Sequence, residues 1–285
     1  FVYQESLRPL VDRAEVIKVD VLGLEDAEIA RQFGQLQAFP VKYLAEKVET
    51  QEQFEFCRDL GFDYFQGHFL SHPKVIQGRR ITTNRMPVLR LLAELNSPDA
   101  RVDKLETLIG QDISLSYRLL RYINSAFFNL TREVDSINHA LVLLGLKDVR
   151  RWATLISLAE SSDKPHELMV TAMVRAKMCE LLAEELGESN PDGFFTVGLF
   201  SVLDALMDAP MEEMLEALPL SEDISQALLA HEGKFGKVLS CTLAYEDGNW
   251  KDVSILDMEP GKVRAAYLEA ITWVDQADLA LQESS

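Results

Sequence analysis

The sequence predicts an α+β, mostly helical chain: a partial βα-barrel segment over residues 1–80, followed by an all-helical part over 81–285. Three observations predict it. Before Gly67, β-branched and aromatic runs alternate with helix-forming stretches, the order of a parallel βα repeat. Beyond Met86, apolar residues recur at helical spacing only. Turn signals, such as Asn96-Ser97-Pro98-Asp99, Ser189-Asn190-Pro191-Asp192-Gly193 and Glu246-Asp247-Gly248-Asn249, divide that second part into helices.

Val16 to Val21 is rich in β-branched residues and reads as a strand. Asp26 to Gln37 has helix-forming composition, and Val41 to Ala45 is the next strand. Thr50-Gln51-Glu52-Gln53 is a capping box: the Thr50 hydroxyl accepts from the Gln53 N–H while the Gln53 amide reaches back. The helix it starts stops at Gly61, and Phe62 to Phe65 is the third strand. Short links between these elements imply right-handed parallel crossovers. A parallel sheet needs cover on both faces and more than three strands. Either a segment before Phe1 supplies them, or the piece packs on the helical part of the chain. Phe1 in place of Met, with no signal-peptide pattern, reads as the start of a fragment.

Helices are expected from Met86, then over Val102–Ile109, Asp112–Phe127, Ser136–Leu144, Lys147–Ala159 and His166–Leu186. Phe194–Met207, Met211–Ala217, Ser221–His231, Phe235–Ala244 and Gly261–Ala280 complete the set. Leu115, Leu119 and Leu120, and again Leu141 and Leu144, mark core stripes. The bridge from His72-Pro73 to Arg80 is short, which predicts that the two parts pack together.

The composition excludes several classes. At 47% hydrophobic and 26% charged, the chain is globular rather than disordered. No apolar run approaches the ~18 residues of a membrane span. Cys57, Cys179 and Cys241 are scattered and form no CxxC pair, so a reducing cytoplasmic compartment with buried thiols is expected. The net charge of −18 argues against nucleic acid as a partner, because phosphate backbones are bound through Lys and Arg. Residues 178–233 hold thirteen acids and no Lys or Arg. That stretch is either a solvated acidic surface or a docking face for a basic partner. Walker, GxGxxG, HExxH and GxSxG motifs are absent.

The most informative stretch is Leu44 to Gly67. It places the acid Glu46 at one strand end and Gln66-Gly67 at the next, the way α/β barrels build active sites. Ile17-Lys18-Val19-Asp20, Ala45-Glu46-Lys47-Val48-Glu49-Thr50 and Phe65-Gln66-Gly67 resemble, in order and spacing, the K-[IV]-D, A-E-G-V-E-T and F-Q-G motifs of the EAL domain. EAL domains are the barrels of bacterial cyclic di-GMP phosphodiesterases. The resemblance implies that Lys18 positions the attacking water, Glu46 binds metal and Gln66 supports the metal environment. It makes Lys18, Glu46 and Gln66 ligand-binding candidates; His68, just past the Phe-Gln-Gly strand end, is either a further one facing the pocket or a barrel-rim surface residue. The Glu-Ala-Leu motif, the metal-binding Asn and Glu and the paired Asp precede the K-V-D strand in such domains and are not in this sequence. Lys47 replaces a motif Gly, adding a cation and a side chain beside the metal position. One Glu, one Gln and one Lys do not supply the converging oxygens of a two-metal hydrolase. These positions therefore read as vestigial: no cofactor is expected, with Mg²⁺ or Mn²⁺ only if the barrel is completed and active.

Residues 86–280 resemble an HDOD domain, a helical signalling module related to HD-type phosphohydrolases. Asp112 through Leu119-Leu120 to Asn124-Ser125-Ala126-Phe127 is similar to its D-P-x-L…L-L…N-S-A-x-F signature, and Ile137 to Gly145 to the A-x-x-x-L-G helix. HD hydrolases bind metal through a His-Asp pair. None of His68, His72, His139, His166 and His231 precedes an Asp, and the corresponding stretch reads Gly198-Leu-Phe-Ser-Val-Leu-Asp204. The order of the two parts resembles bacterial EAL–HDOD signalling proteins. It implies a non-catalytic cytoplasmic regulator that contacts other signalling proteins, binds cyclic di-GMP at most, and self-associates through its helices. The alternative is a cyclic di-GMP phosphodiesterase in the full-length protein.

Among other polar residues, His139 is expected to be a hydrogen-bonded core or groove residue, and Asn124 and Ser125 to satisfy backbone groups at a turn. Arg118 and Arg121, and the pair Arg150-Arg151, are either surface cations or an anion site. Trp152 and Trp273 are core or interface residues.

Overall fold

The structure is a computed structural model that describes residues 3–67, 86–97, 101–130, 132–161 and 164–284. The chain divides into two compact units, Phe1–Lys74 and Val75–Ser285.

In the first unit a short helix, α1 (Arg8–Val11), leads into β1 (Val16–Asp20), α2 (Asp26–Leu36), β2 (Lys42–Glu46), α3 (Gln51–Leu60) and β3 (Tyr64–Gln66). The strands form an open parallel sheet in the order β1-β2-β3, and no barrel is present among the described residues. One face is apolar because every second residue points to it. Ile17, Val19, Tyr43 and Ala45 are buried there with Ile29, Phe33 and Leu36 of α2 and Cys57 of α3. The opposite face carries Lys18, Asp20, Leu44, Glu46, Tyr64 and Gln66, and none of these is fully buried.

The capping box forms, with one difference. Thr50 Oγ1 accepts from the Gln53 N–H at 3.1 Å, but the Gln53 amide oxygen accepts from the N–H of Glu49 at 3.0 Å rather than that of Thr50. Its Nε2 then donates to the Val21 carbonyl, also at 3.0 Å, tying the β2–α3 link to the end of β1. α3 ends at Gly61, as expected. The third strand starts two residues later than its composition suggests. Phe62 turns into the core, 4.5 Å from the Phe33 ring, and Asp63 accepts from the Tyr43 N–H, so pairing with β2 begins at Tyr64.

The second unit is helical among its described residues. α4 (Met86–Leu95), α5 (Val102–Gln111), α6 (Ile113–Ile123), α7 (Ile137–Leu144) and α8 (Leu146–Ser161) precede the long α9 (His166–Glu185). After it come α10 (Pro191–Phe200), α11 (Leu203–Met207), α12 (Met211–Ala217), α13 (Glu222–Ala230), α14 (Gly233–Glu246), α15 (Trp250–Val253) and α16 (Pro260–Ser284). α9 is buried on nearly every side and packs against α10, α14 and α16, the position its all-round apolar sequence requires. Leu115 and Leu119 are fully buried, whereas Leu120 and Leu144 only border the core. Trp152 stacks on Trp273 with ring centroids 5.5 Å apart, within a cluster that includes Tyr122, Phe127 and Phe128.

Three expectations are corrected here. The helix expected over Phe194–Met207 breaks at Ser201–Val202, where the Ser201 hydroxyl donates to the Gly198 carbonyl. His139 is exposed, not in the core; its ring lies 3.3 Å from Asp135. Asn124 does satisfy backbone, holding the N–H and carbonyl of Val134 at 2.7 and 2.8 Å, but the buried Ser125 hydroxyl has no partner among the described residues.

The acidic stretch is partly neutralised from within. Glu180, Glu185, Glu188, Asp192 and Asp208 pair with Arg151, Lys262, Lys234, Lys147 and Lys164 respectively, all from outside residues 178–233.

Candidate functional site

The parallel register sets Asp20 opposite Glu46 and Glu46 opposite Gln66. A single polar row therefore runs across the C-terminal ends of all three strands. Lys18 lies two residues before Asp20 on the same face, and its Nζ reaches Gln66 Oε1 at 3.4 Å. The structure thus brings together Lys18, Glu46 and Gln66. His68 and His72 lie outside the described residues.

The geometry around Lys47 could not be read from the sequence. Its φ is +61°, a left-handed conformation that glycine adopts without strain and side-chain-bearing residues rarely do. A backbone reason therefore underlies the motif Gly that Lys47 replaces. Its Nζ sits 2.5 Å from Asp20 Oδ2. Asp20 Oδ1 also accepts from the Leu22 N–H at 3.0 Å. Together these hold the Asp20 carboxyl below the usual carboxylate range, with Lys47 the larger cause. Asp20 is the residue that sequence reasoning passed over. Its position two residues after Lys18, on the same strand face, was the available signal.

Gly67 is required by close approach. A Cβ there would lie 2.1 Å from the Val48 carbonyl oxygen, because the Val48 N–H donates to the Gln66 carbonyl next door. The last motif glycine thus lets β3 close against the β2–α3 link.

Glu46 is half-buried, and its carboxylate has no hydrogen-bond or ion-pair partner among the described residues. It is the one site acid here with oxygens to offer, since Asp20 is committed to Lys47. Among the described residues no three His, Cys, Asp or Glu side chains converge to hold a metal ion. A two-metal hydrolytic centre therefore does not fit the residues of this row.

In the helical unit, the stretch from Gly198 to Asp204 holds no His and is broken between two helices. Ser201 occupies the break after α10, and Val202 is fully buried. Arg175 of α9, 8% exposed, points its Nη1 at the Ser201 hydroxyl. Its Nε and Nη2 hold the Glu246 carboxylate of α14 at 2.7 and 2.9 Å. This is a bidentate pair with fixed geometry. Gly198 lets α10 lie directly on α9: an added Cβ would stand 2.4 Å from the Arg175 carbonyl oxygen. Beside the pair a cleft of about 270 Å³ is lined mainly by Val170, Val174, Met178, Tyr267 and Ile271. A guanidinium already neutralises the acid beside this cleft.

A three-stranded parallel βα segment followed by a helical unit built around one buried helix defines a two-part chain, and its helical part belongs to the HDOD family. The HDOD domain model matches residues 84–242. The chain is 32% identical over 279 residues to YuxH of Bacillus subtilis (strain 168), an uncharacterized protein, covering 95% of this chain and 68% of that one. It is 34% identical over 283 residues to the cyclic di-GMP phosphodiesterase CdgJ of Vibrio cholerae serotype O1, covering 96% of this chain and 65% of CdgJ. The chain thus spans about two thirds of the length of these relatives. The fold is shared with a solved structure from Marinobacter aquaeolei VT8, provisionally named a signal transduction protein. There the TM-score is 0.54 at 12% identity, over 91% of this chain and 83% of that one. A provisionally named phosphohydrolase from Shewanella amazonensis SB2B matches with a TM-score of 0.51 at 17% identity, covering 71% of this chain and 94% of that structure.

Proposed function

We propose that the protein is a bacterial signal-transduction regulator that acts through contacts of its HDOD domain and does not hydrolyse cyclic di-GMP with the residues of this chain. The first unit is a partial EAL-type segment whose polar row is a ligand edge rather than a catalytic centre. Lys18, Glu46 and Gln66, with His68 beyond the described residues, are its binding candidates. The observation that carries this reading is the disposition of the acids. Asp20 is bound to Lys47, which leaves Glu46 without a second available carboxylate. In the helical unit Glu246 is held by Arg175, and no three metal-ligating side chains converge among the described residues, which supports the same conclusion. No cofactor is required in this reading. The partners are other signalling proteins and a second copy of the chain, with residues 178–233 a candidate surface for a basic partner. The three buried, unpaired thiols favour a cytoplasmic setting, and no described helix is long and apolar enough to cross a membrane.

Calorimetric titration of cyclic di-GMP into the chain tests the ligand edge. Heat of binding that Glu46→Ala and Lys18→Ala both weaken supports it; binding indifferent to both substitutions rules out the sheet row as the ligand edge.

A second reading has its own support, since 34% identity over 96% of this chain relates it to a protein named as a cyclic di-GMP phosphodiesterase. In that reading the full-length protein completes the barrel, and Glu46 joins further acids in holding Mg²⁺ or Mn²⁺.

A further inference from the structure

Three helices of the second unit border the cleft beside the Arg175–Glu246 pair. α9 gives it Val170, Val174 and Met178, at i, i+4 and i+8 along one face. α16 runs antiparallel to α9, since His166 at the start of α9 meets Asp278 near the end of α16, and Lys262 meets Glu185 at the opposite ends. Tyr267 and Ile271 of α16 form the second apolar wall, and Glu246 of α14 also borders the cleft. The volume is about 270 Å³ and the mouth opens to solvent. A closed apolar cavity of about 150 Å³ holds a benzene ring, so this cleft has room for a fused two-ring body. It is too small for a helix, which is about 10 Å across with its side chains.

The charged groups decide which ligand fits. Arg175, Glu246 and Asp275 line the cleft. The Arg175 guanidinium is used on all three nitrogens: Nε and Nη2 hold Glu246, and Nη1 meets the Ser201 hydroxyl. An incoming carboxylate or phosphate would have to displace Glu246 from it. Asp275 is exposed and has no hydrogen-bond or ion-pair partner among the described residues. The lining thus sets two carboxylates against one guanidinium that is already committed. Outside the lining, the exposed Glu167 stands one turn before Val170 on α9 and the exposed Arg264 one turn before Tyr267 on α16, so these two offset each other. Asp278, one turn past Asp275, is paired with His166. Burial first, and Glu246 next, hold the Tyr267 phenol above its usual range, so it adds no charge.

We propose that this cleft binds a small amphipathic amine. Its apolar body lies between the Val170–Val174–Met178 stripe and the wall of Tyr267 and Ile271, and its ammonium meets Asp275, the carboxylate that no cation holds. An anion on the same body finds no uncommitted cation in the lining, and a neutral body gains nothing from Asp275. The site lies within the helical unit and apart from the strand-end row, so it stands or falls independently of the regulatory function proposed above.

The test uses the whole chain and probes that share one indole body: tryptamine, an ammonium; tryptophol, a neutral alcohol; and indolepropionate, an anion. Each is titrated by calorimetry. Wild type is expected to bind tryptamine about threefold to fivefold more tightly than tryptophol, the worth of one charge contact at a solvent-exposed rim, and indolepropionate most weakly. The net charge of −18 attracts any cation, so two variants that remove the same charge locate the site. Asp275→Asn should lose the preference for tryptamine while binding tryptophol as wild type does. Glu269→Gln, an exposed position of α16 outside the lining, should keep that preference. Val174→Phe, which fills the apolar stripe, should weaken binding of every probe while circular dichroism shows the variant folded. The proposal is overturned if no probe binds at millimolar concentration, if indolepropionate binds best, or if Asp275→Asn and Glu269→Gln behave alike. A dimer in sedimentation that Val174→Phe dissociates would also overturn it, because the cleft would then be a contact between two copies of the chain.

Discussion

Arg175 and Lys47 each set a cation beside an acid, Glu246 and Asp20 respectively. The two have different energetic consequences. Arg175 is almost fully buried and holds Glu246 in a bidentate pair. Removing one member leaves a charge in poor surroundings. Arg175→Met should therefore cost about 2 kcal/mol, measured by denaturant unfolding, and the double substitution with Glu246→Leu should cost less than the sum of the singles. The Lys47–Asp20 pair is half exposed and screened by water. Lys47→Gly loses that pair but relieves a left-handed backbone, and the two effects oppose each other. The net change in stability should stay within about 0.5 kcal/mol at neutral pH. The Asp20 carboxyl titrates lower in the folded chain than in the unfolded one, so its pair with Lys47 contributes stability above the unfolded value. That contribution disappears as pH falls through the folded value, which leaves the backbone relief unopposed, so below about pH 4 Lys47→Gly should become the more stable of the two. The sequence showed that Lys47 stands where the motif has glycine. It could not show the positive φ that explains the glycine, because φ is a property of the closed β2–α3 link.

Among the elements, local chemistry was legible and long-range packing was not. The Thr50 cap and the Gly61 stop of α3 follow from side chains within one helical turn of each end, and both form. Thr50→Ala should lower stability by about 1 kcal/mol, read from thermal or denaturant unfolding. The break of the Phe194–Met207 helix was not legible, since the run from Phe194 to Leu203 is largely apolar and holds no proline. The cause lies in a neighbour: α10 must lie backbone to backbone on α9 at Gly198, and Ser201 turns back to the Gly198 carbonyl there. Gly198→Ala sets a methyl group against backbone atoms that cannot rotate away. It should cost about 2 kcal/mol or more, or prevent folding outright. His139 was misread for a related reason. Its helix is apolar in sequence, yet Val142 is 77% exposed and Leu143 49% exposed, so α7 presents an apolar face outward and His139 goes with it.

At the scale of the molecule, the two units differ in how completely each buries its own structure. The helical unit has one contiguous core running from Leu89 to Leu281. The sheet unit has a small core and a parallel sheet with one open polar face, an arrangement that parallel sheets seldom tolerate alone. Residues 75–285 prepared separately should unfold in a single cooperative transition, and residues 1–74 prepared separately should not, by circular dichroism on heating. The division of the chain into βα and helical parts was readable because periodicity changes near Met86. The chemistry of the strand-end row was readable only as motif residues. Their register and the commitment of Asp20 to Lys47 needed the fold.

The most direct measurement is turnover. The chain is incubated with cyclic di-GMP and Mg²⁺ or Mn²⁺, and linear product is followed by chromatography. A non-catalytic strand-end row predicts product no faster than in the protein-free control, with wild type and Glu46→Ala indistinguishable. Metal-dependent hydrolysis by this chain that Glu46→Ala abolishes would contradict it.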